Sequence, residues 1–132
     1  MQPQILCKAI RNREEKYLDW IKDGSKTYEG RLACKVKEWD LQINKMIIFY
    51  DENDHNSFVL CRITSLLIFN NFGEAFERLG AALIPNKAKV EVIDMYNKLF
   101  YYQDEQLHSG QTSAMIMDNK VVAIGIIVIY QQ

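Results

Sequence analysis

The chain has 132 residues, 48% apolar and 25% charged, with 16 Lys and Arg against 17 Asp and Glu. Such a length supports one domain, residues 1–132, around one core, and the composition is that of an ordinary globular protein. A net charge of −1 excludes an overall basic field that would grip any nucleic acid, and the most apolar segment, 121–130, is too short for a membrane-spanning helix.

The charge is distributed unevenly. Residues 1–37 carry nine Lys/Arg and five Asp/Glu, and residues 38–132 carry seven and twelve. A local basic patch from the N-terminal quarter and an ordinary mixed surface both fit that balance. The opening Met1-Gln2-Pro3-Gln4 lacks the basic start and long apolar stretch of a signal peptide. The expectation is an intracellular protein, cytoplasmic or nuclear, with no membrane partner. Cys7, Cys34 and Cys61 are odd in number and show no C-x-x-C spacing, which reads as three reduced, mostly buried thiols. His55 and His108 are the only histidines and neither is close to a cysteine in sequence. No metal ligand set and no cofactor motif is expected.

In chain order, Gln4 to Ile10 reads as a strand with Ile5, Cys7 and Ala9 on one face. Arg13 to Asp23 reads as a helix whose apolar stripe is Tyr17, Leu18 and Ile21, widened by Trp20, and Gly24 is a natural C-cap. Thr27 to Ala33 reads as a strand that sends Thr27, Glu29 and Arg31 to one face and Tyr28, Gly30 and Leu32 to the other. Lys45 to Tyr50 and Phe58 to Ile68 read as a hairpin joined by a wide acidic loop, Asp51 to Ser57. That loop is a solvated tip without the spacing of a calcium loop. A short helix is predicted over Phe72 to Leu79, closed by Gly80, and another over Asn86 to Phe100, where Val90-Glu91-Val92 also suits a strand. Tyr101-Tyr102 opens a polar stretch through Gly110. Met115 to Ala123 has hairpin character with Asp118-Asn119 as the turn. Val121 to Ile129 is a β-branched run that predicts a central strand buried on both faces. Five or six strands and two or three helices that do not alternate argue for α+β: a small, mostly antiparallel β-barrel with the helices on its flank or mouth.

The segment Gly24-Ser25-Lys26-Thr27-Tyr28-Glu29-Gly30-Arg31 resembles the G-x-K-T-x-E-x-R signature of the ASCH domain family. In that family the signature also follows a helix that ends in an apolar pair. The order of elements is similar over nearly the whole chain: an apolar strand as in Lys45 to Phe49, a longer strand, a short helix as in Phe72 to Phe76, a tyrosine-rich stretch as in Tyr96 to Tyr102, and a last apolar strand. Two features depart from the family pattern. Ile43-Asn44-Lys45 stands where a Gly-Asp pair is usual, and Leu107 to Lys120 intervenes before the last strand. The resemblance implies a PUA-like barrel with a cleft beside the motif and a role with RNA or a modified nucleoside. Family activities differ, so the fold does not choose among them. Some members are N4-acetylcytidine amidohydrolases, some are described as ribonucleases, and some are binding modules.

Lys26 is the expected phosphate or oxyanion contact, or a base if burial lowers its pKa; the alternative is a solvated loop lysine. Glu29 can accept a hydrogen bond from a base or ribose, or act as a general acid/base; the alternative is an ion pair with Arg31. Arg31 can grip a phosphate or orient Glu29. In the amidohydrolase members the motif lysine works with a threonine, at the position matched here by Glu29, and with a glutamate on a later helix, where Glu74 and Glu77 fall. Lys26 and Glu29 are therefore the catalytic candidates if the chain is a hydrolase. Tyr28, Tyr101 and Tyr102, with Trp20 and Tyr96, are candidates to stack on bases. Three readings stay open: an RNA- or nucleoside-binding domain, an enzyme at the same cleft, and a protein-interaction module in which the charged triplet is structural.

Overall fold

The computed structural model describes residues 5–86, 91 and 120–132. Among them are five strands, β1 (Leu6–Ile10), β2 (Tyr28–Leu32), β3 (Met46–Asp51), β4 (Asp54–Phe69) and β5 (Val121–Gln131), and three helices, α1 (Tyr17–Asp23), α2 (Ala33–Glu38) and α3 (Phe72–Leu79). The strands form one sheet in the order β1-β3-β4-β5-β2. Only the β1–β3 pairing is parallel. This is the expected α+β architecture, curled into a half-barrel: β1 and β2 stand at opposite edges of the sheet and do not pair with each other.

The half-barrel buries its inner face against α1. Ile47, Phe49, Val59, Cys61, Ile63, Val122, Ile124 and Ile126 form one cluster there with Leu18 and Ile21, joined by Val36 and Leu41. A second cluster lies on the opposite face of β2 and β5, where Leu32 and Val121 pack against Phe72, Ala75, Leu83 and Ile84. β4 is long enough to serve both clusters because of its irregularities. Its register with β5 shifts between Leu60 and Cys61 and again between Ile63 and Ser65, and each shift re-aims the following side chains. β3 pairs with β4 no further than Arg62. Beyond that point β4, β5 and β2 continue as a three-stranded wing.

Local chemistry accounts for the element ends. α3 starts at a reciprocal cap related to the capping box but one residue longer: the Asn71 side chain accepts from the Glu74 N–H at 2.8 Å, and the Glu74 carboxylate accepts from the Asn70 N–H at 2.8 Å. α1 starts later than predicted, at Tyr17 rather than Arg13. The first-turn Asp19 N–H donates to the Asn12 side chain at 3.2 Å, so the preceding residues loop back as a cap instead of extending the helix. α2 replaces the end of the predicted strand at Ala33 and buries only Val36; its apolar signal is too short to read. The hairpin tip is tighter than predicted, because Asp51 pairs with Asp54 and Tyr50 with Phe58, with a register shift between them.

The predicted central strand is found as β5, between β4 and β2. Its first six residues are buried, and from Ile127 onward it is largely exposed. The thiol expectation needs correction. Cys61 is buried, and burial pushes its thiol up to about 12, but Cys7 and Cys34 are exposed. Cys7 does share a face with Ala9, yet that is the outer face of the edge strand, while Leu6 and Ile10 point toward the core. The predicted helix over 86–100, the hairpin near Asp118-Asn119, and Tyr96, Tyr101 and Tyr102 fall outside the described residues. None of the helices among the described residues is long and apolar enough to cross a membrane.

Candidate functional site

The motif begins at a helix end. Gly24 adopts φ 85°, the left-handed conformation that glycine takes without a Cβ penalty. Its N–H donates to Ile21 O at 3.2 Å, and the chain then doubles back so that the Lys26 N–H donates to Trp20 O at 2.9 Å. The reversal carries Lys26 under α1 rather than out to solvent. Thr27 ties the next step to the 3-10 turn Gly80–Ala82, its N–H donating to Ala82 O at 2.9 Å.

Lys26 is among the largest fully buried side chains of the described residues, 1% exposed. Its Nζ donates to Tyr28 O at 2.7 Å and to Leu83 O, and it lies 3.4 Å from Glu29 Oε1. Three acceptors match the three protons of an ammonium. The ring of Tyr17 closes the space beside it, 5.8 Å from Nζ. Burial pulls the Lys26 pKa below its ordinary value, against the pull of Glu29.

Glu29, 4% exposed, links the two cations. One carboxylate oxygen faces Lys26 and the other lies 3.2 Å from Arg31 Nη1. Burial pushes the Glu29 pKa up, but Arg31 and Lys26 together outweigh it, and the carboxyl titrates below its ordinary value of 4.5. Arg31 also donates from Nη1 to Gly30 O at 3.3 Å. Its side chain is 18% exposed, the most accessible of the three. The Tyr17 hydroxyl is pushed up to about 12, first by burial and then by Glu15 and Glu29.

The structure thus brings Lys26, Glu29 and Arg31 into one ion chain running from the interior to the rim. Glu29 and Arg31 face the inner side of the half-barrel, opposite Ile124 and Val122. Tyr28 faces the other way, half-buried opposite Gly125. A depression of about 250 Å³ touches Lys26 between Gly24, Thr27 and Ile126, but the lysine side chain has no exposure, so its ammonium does not open onto that space. Glu74 is engaged in the α3 cap. No group of three or more His, Cys, Asp and Glu among the described residues is placed to hold a metal ion. Two partners of Lys26 carried no signal in the sequence. Tyr17 reads there as a plain stripe residue, and Leu83 contributes a backbone carbonyl from 57 positions away.

The depressed Glu29 pKa gives a pH prediction with a definite sign. Its contribution to stability is complete above the ordinary carboxyl value of 4.5 and is lost as pH falls through the lower folded value. Urea unfolding across that range should therefore show the gap between the wild type and Glu29→Gln narrowing steadily toward acid. A gap independent of pH would mean that the carboxylate is not held by its two cations.

No protein-family model matches the chain, and no curated protein does. Solved structures do resemble it. Hypothetical protein PH0355 is 23% identical over 96% of this chain and 100% of that one, with a TM-score of 0.65. Protein PF0455 from Pyrococcus furiosus is 23% identical over 96% and 98%, with a TM-score of 0.61. The ASCH domain from Lactobacillus crispatus JV V101 is 15% identical over 95% and 80%, with a TM-score of 0.67. At such identities the likeness is one of architecture, and it agrees with the order of elements and the curled sheet: this chain has the fold of an ASCH domain, a PUA-like half-barrel.

Proposed function

We propose that the chain is an RNA-binding domain that meets its ligand through Arg31 at the rim of the inner face, with Lys26 and Glu29 as the buried brace that aims it. One observation carries this reading: the Lys26–Glu29–Arg31 chain is fully paired at its buried end and reaches solvent at its arginine end. A guanidinium held through one nitrogen keeps its other donors for a phosphate or base edge, and that rigidity reduces the entropy lost on binding. Among the described residues, the contacts of Arg31 run through Nη1. The ASCH fold brings RNA as the expected ligand class. Lys26 is a positioning residue in this reading. The hydrolase alternative draws no support from it, since an ammonium enclosed by Tyr28 O, Leu83 O and Glu29 does not reach a substrate.

Fluorescence anisotropy with a labelled single-stranded RNA tests the proposal. Arg31→Gln should weaken binding by roughly tenfold and reduce the dependence of log K on log salt by about 0.7, the value for one phosphate contact on a single strand. Unchanged affinity in Arg31→Gln would remove the cation from the interface and leave the charged triplet with a structural role.

A further inference from the structure

One row of residues crosses the three-stranded wing. Arg31 lies opposite Val122, and Val122 lies opposite Ile68. Directly opposed residues share a face of the sheet, and adjacent strands are about 4.8 Å apart. Arg31 and Ile68 therefore flank Val122 on the same inner face. Val122 is buried, whereas Ile68 is 66% exposed, because β3 stops pairing with β4 before this point. Alternation along β5 puts Lys120, two residues before Val122, on that face as well, and it too is exposed.

Ile68 and Lys120 line a depression of about 490 Å³ at the end of the wing, together with Asn70, Arg78, Glu74 and Glu77. That volume is within the range of small-molecule sites. The lining is chemically mixed. A bare phosphate would face the carboxylates as well as the cations, and an apolar ligand would make no use of Lys120 and Arg78. A nucleotide suits the apolar and the cationic parts together: a flat base for Ile68 and a phosphate for Lys120 and Arg78.

We infer that this depression holds one nucleotide of the RNA strand whose neighbouring phosphate is gripped by Arg31, with Ile68 as the surface on which the base lies and Lys120 as the second phosphate contact. The inference rests on the RNA-binding reading and extends it by a site and a direction: the strand runs across the wing from β2 toward β4.

The experiment uses the full chain and a labelled single-stranded oligoribonucleotide of about ten nucleotides, within the footprint of small single-strand binders. Ile68→Ala should weaken binding by about three- to tenfold without changing the salt dependence, as the loss of aliphatic contact predicts. Lys120→Gln should weaken it by a similar factor and lower the salt slope by about 0.7. Ile43→Ala, at another exposed isoleucine, in the loop before β3, should bind as the wild type does. If Arg31→Gln weakens binding while Ile68→Ala and Lys120→Gln do not, the depression lies off the RNA path and the Arg31 reading stands. Equal losses in Ile68→Ala and Ile43→Ala would reduce the Ile68 effect to general surface apolarity and overturn the base contact. A wild type that fails to bind RNA overturns both proposals.

Discussion

Glu29→Gln is expected to lower the free energy of unfolding by about 3–5 kcal/mol, the usual cost of removing one member of a buried ion pair. The reason lies in what remains behind. Lys26 would keep its two carbonyl acceptors but lose its counter-charge, and it has no exposure through which water could compensate. Arg31 would lose its 3.2 Å carboxylate partner as well. Lys26→Met should cost a similar amount, because it strands the buried carboxylate between one cation and the core. The double variant should fall well short of the sum, since most of each single loss is the penalty of an unmatched charge. Urea midpoints for the four proteins provide the cycle. Additive costs would show that the two side chains do not depend on each other, and the brace would fail as an explanation of the motif.

Gly125→Ala is expected to destabilise the fold by about 1–3 kcal/mol through overpacking. Gly125 sits on β5 opposite Tyr28 on one side and Ser65 on the other. A Cβ there would lie 2.2 Å from Ser65 Oγ, 3.0 Å from Thr64 Oγ1 and 3.1 Å from a Tyr28 ring carbon. The crowding follows from the second irregularity of β4, between Ile63 and Ser65, which brings the Thr64 and Ser65 side chains over the glycine. Ser65 can turn its hydroxyl away, but the tyrosine ring and Thr64 still confine the added methyl. Adding Ser65→Ala should therefore recover part of the loss and not all of it. A thermal melt in which Gly125→Ala matches the wild type would show that the site can relax freely.

Much of the architecture was legible because it depends on local pattern. The β-branched run from Val121 read as a central strand, and it lies inside the sheet, buried through Ile126. Gly80 marked the end of α3. Gly24 marked the end of α1. The misreadings came where local pattern is weak or ambiguous. α2 buries one apolar residue, which is too little for a periodic signal. Residues Arg13 to Lys16 suit a helix, but Asn12 folds back to cap Asp19 and shortens it. The strand pattern placed Cys7 and Ala9 together on one face, but period alone does not say which face meets the core.

The motif shows the same division. Its spacing was enough to group Lys26, Glu29 and Arg31 and to anticipate a pairing of Glu29 with Arg31, since residues two apart on a strand point the same way. The choice between a solvated lysine and a buried one lay elsewhere in the chain. It depended on the helix C-cap that turns Lys26 inward, on the Leu83 carbonyl that receives it, and on the Tyr17 ring beside it. Desolvation and counter-charge are properties of a three-dimensional neighbourhood, so the side chains and the polarity of the strand were readable in one dimension, whereas which cation reaches solvent was settled only when distant elements closed around the other.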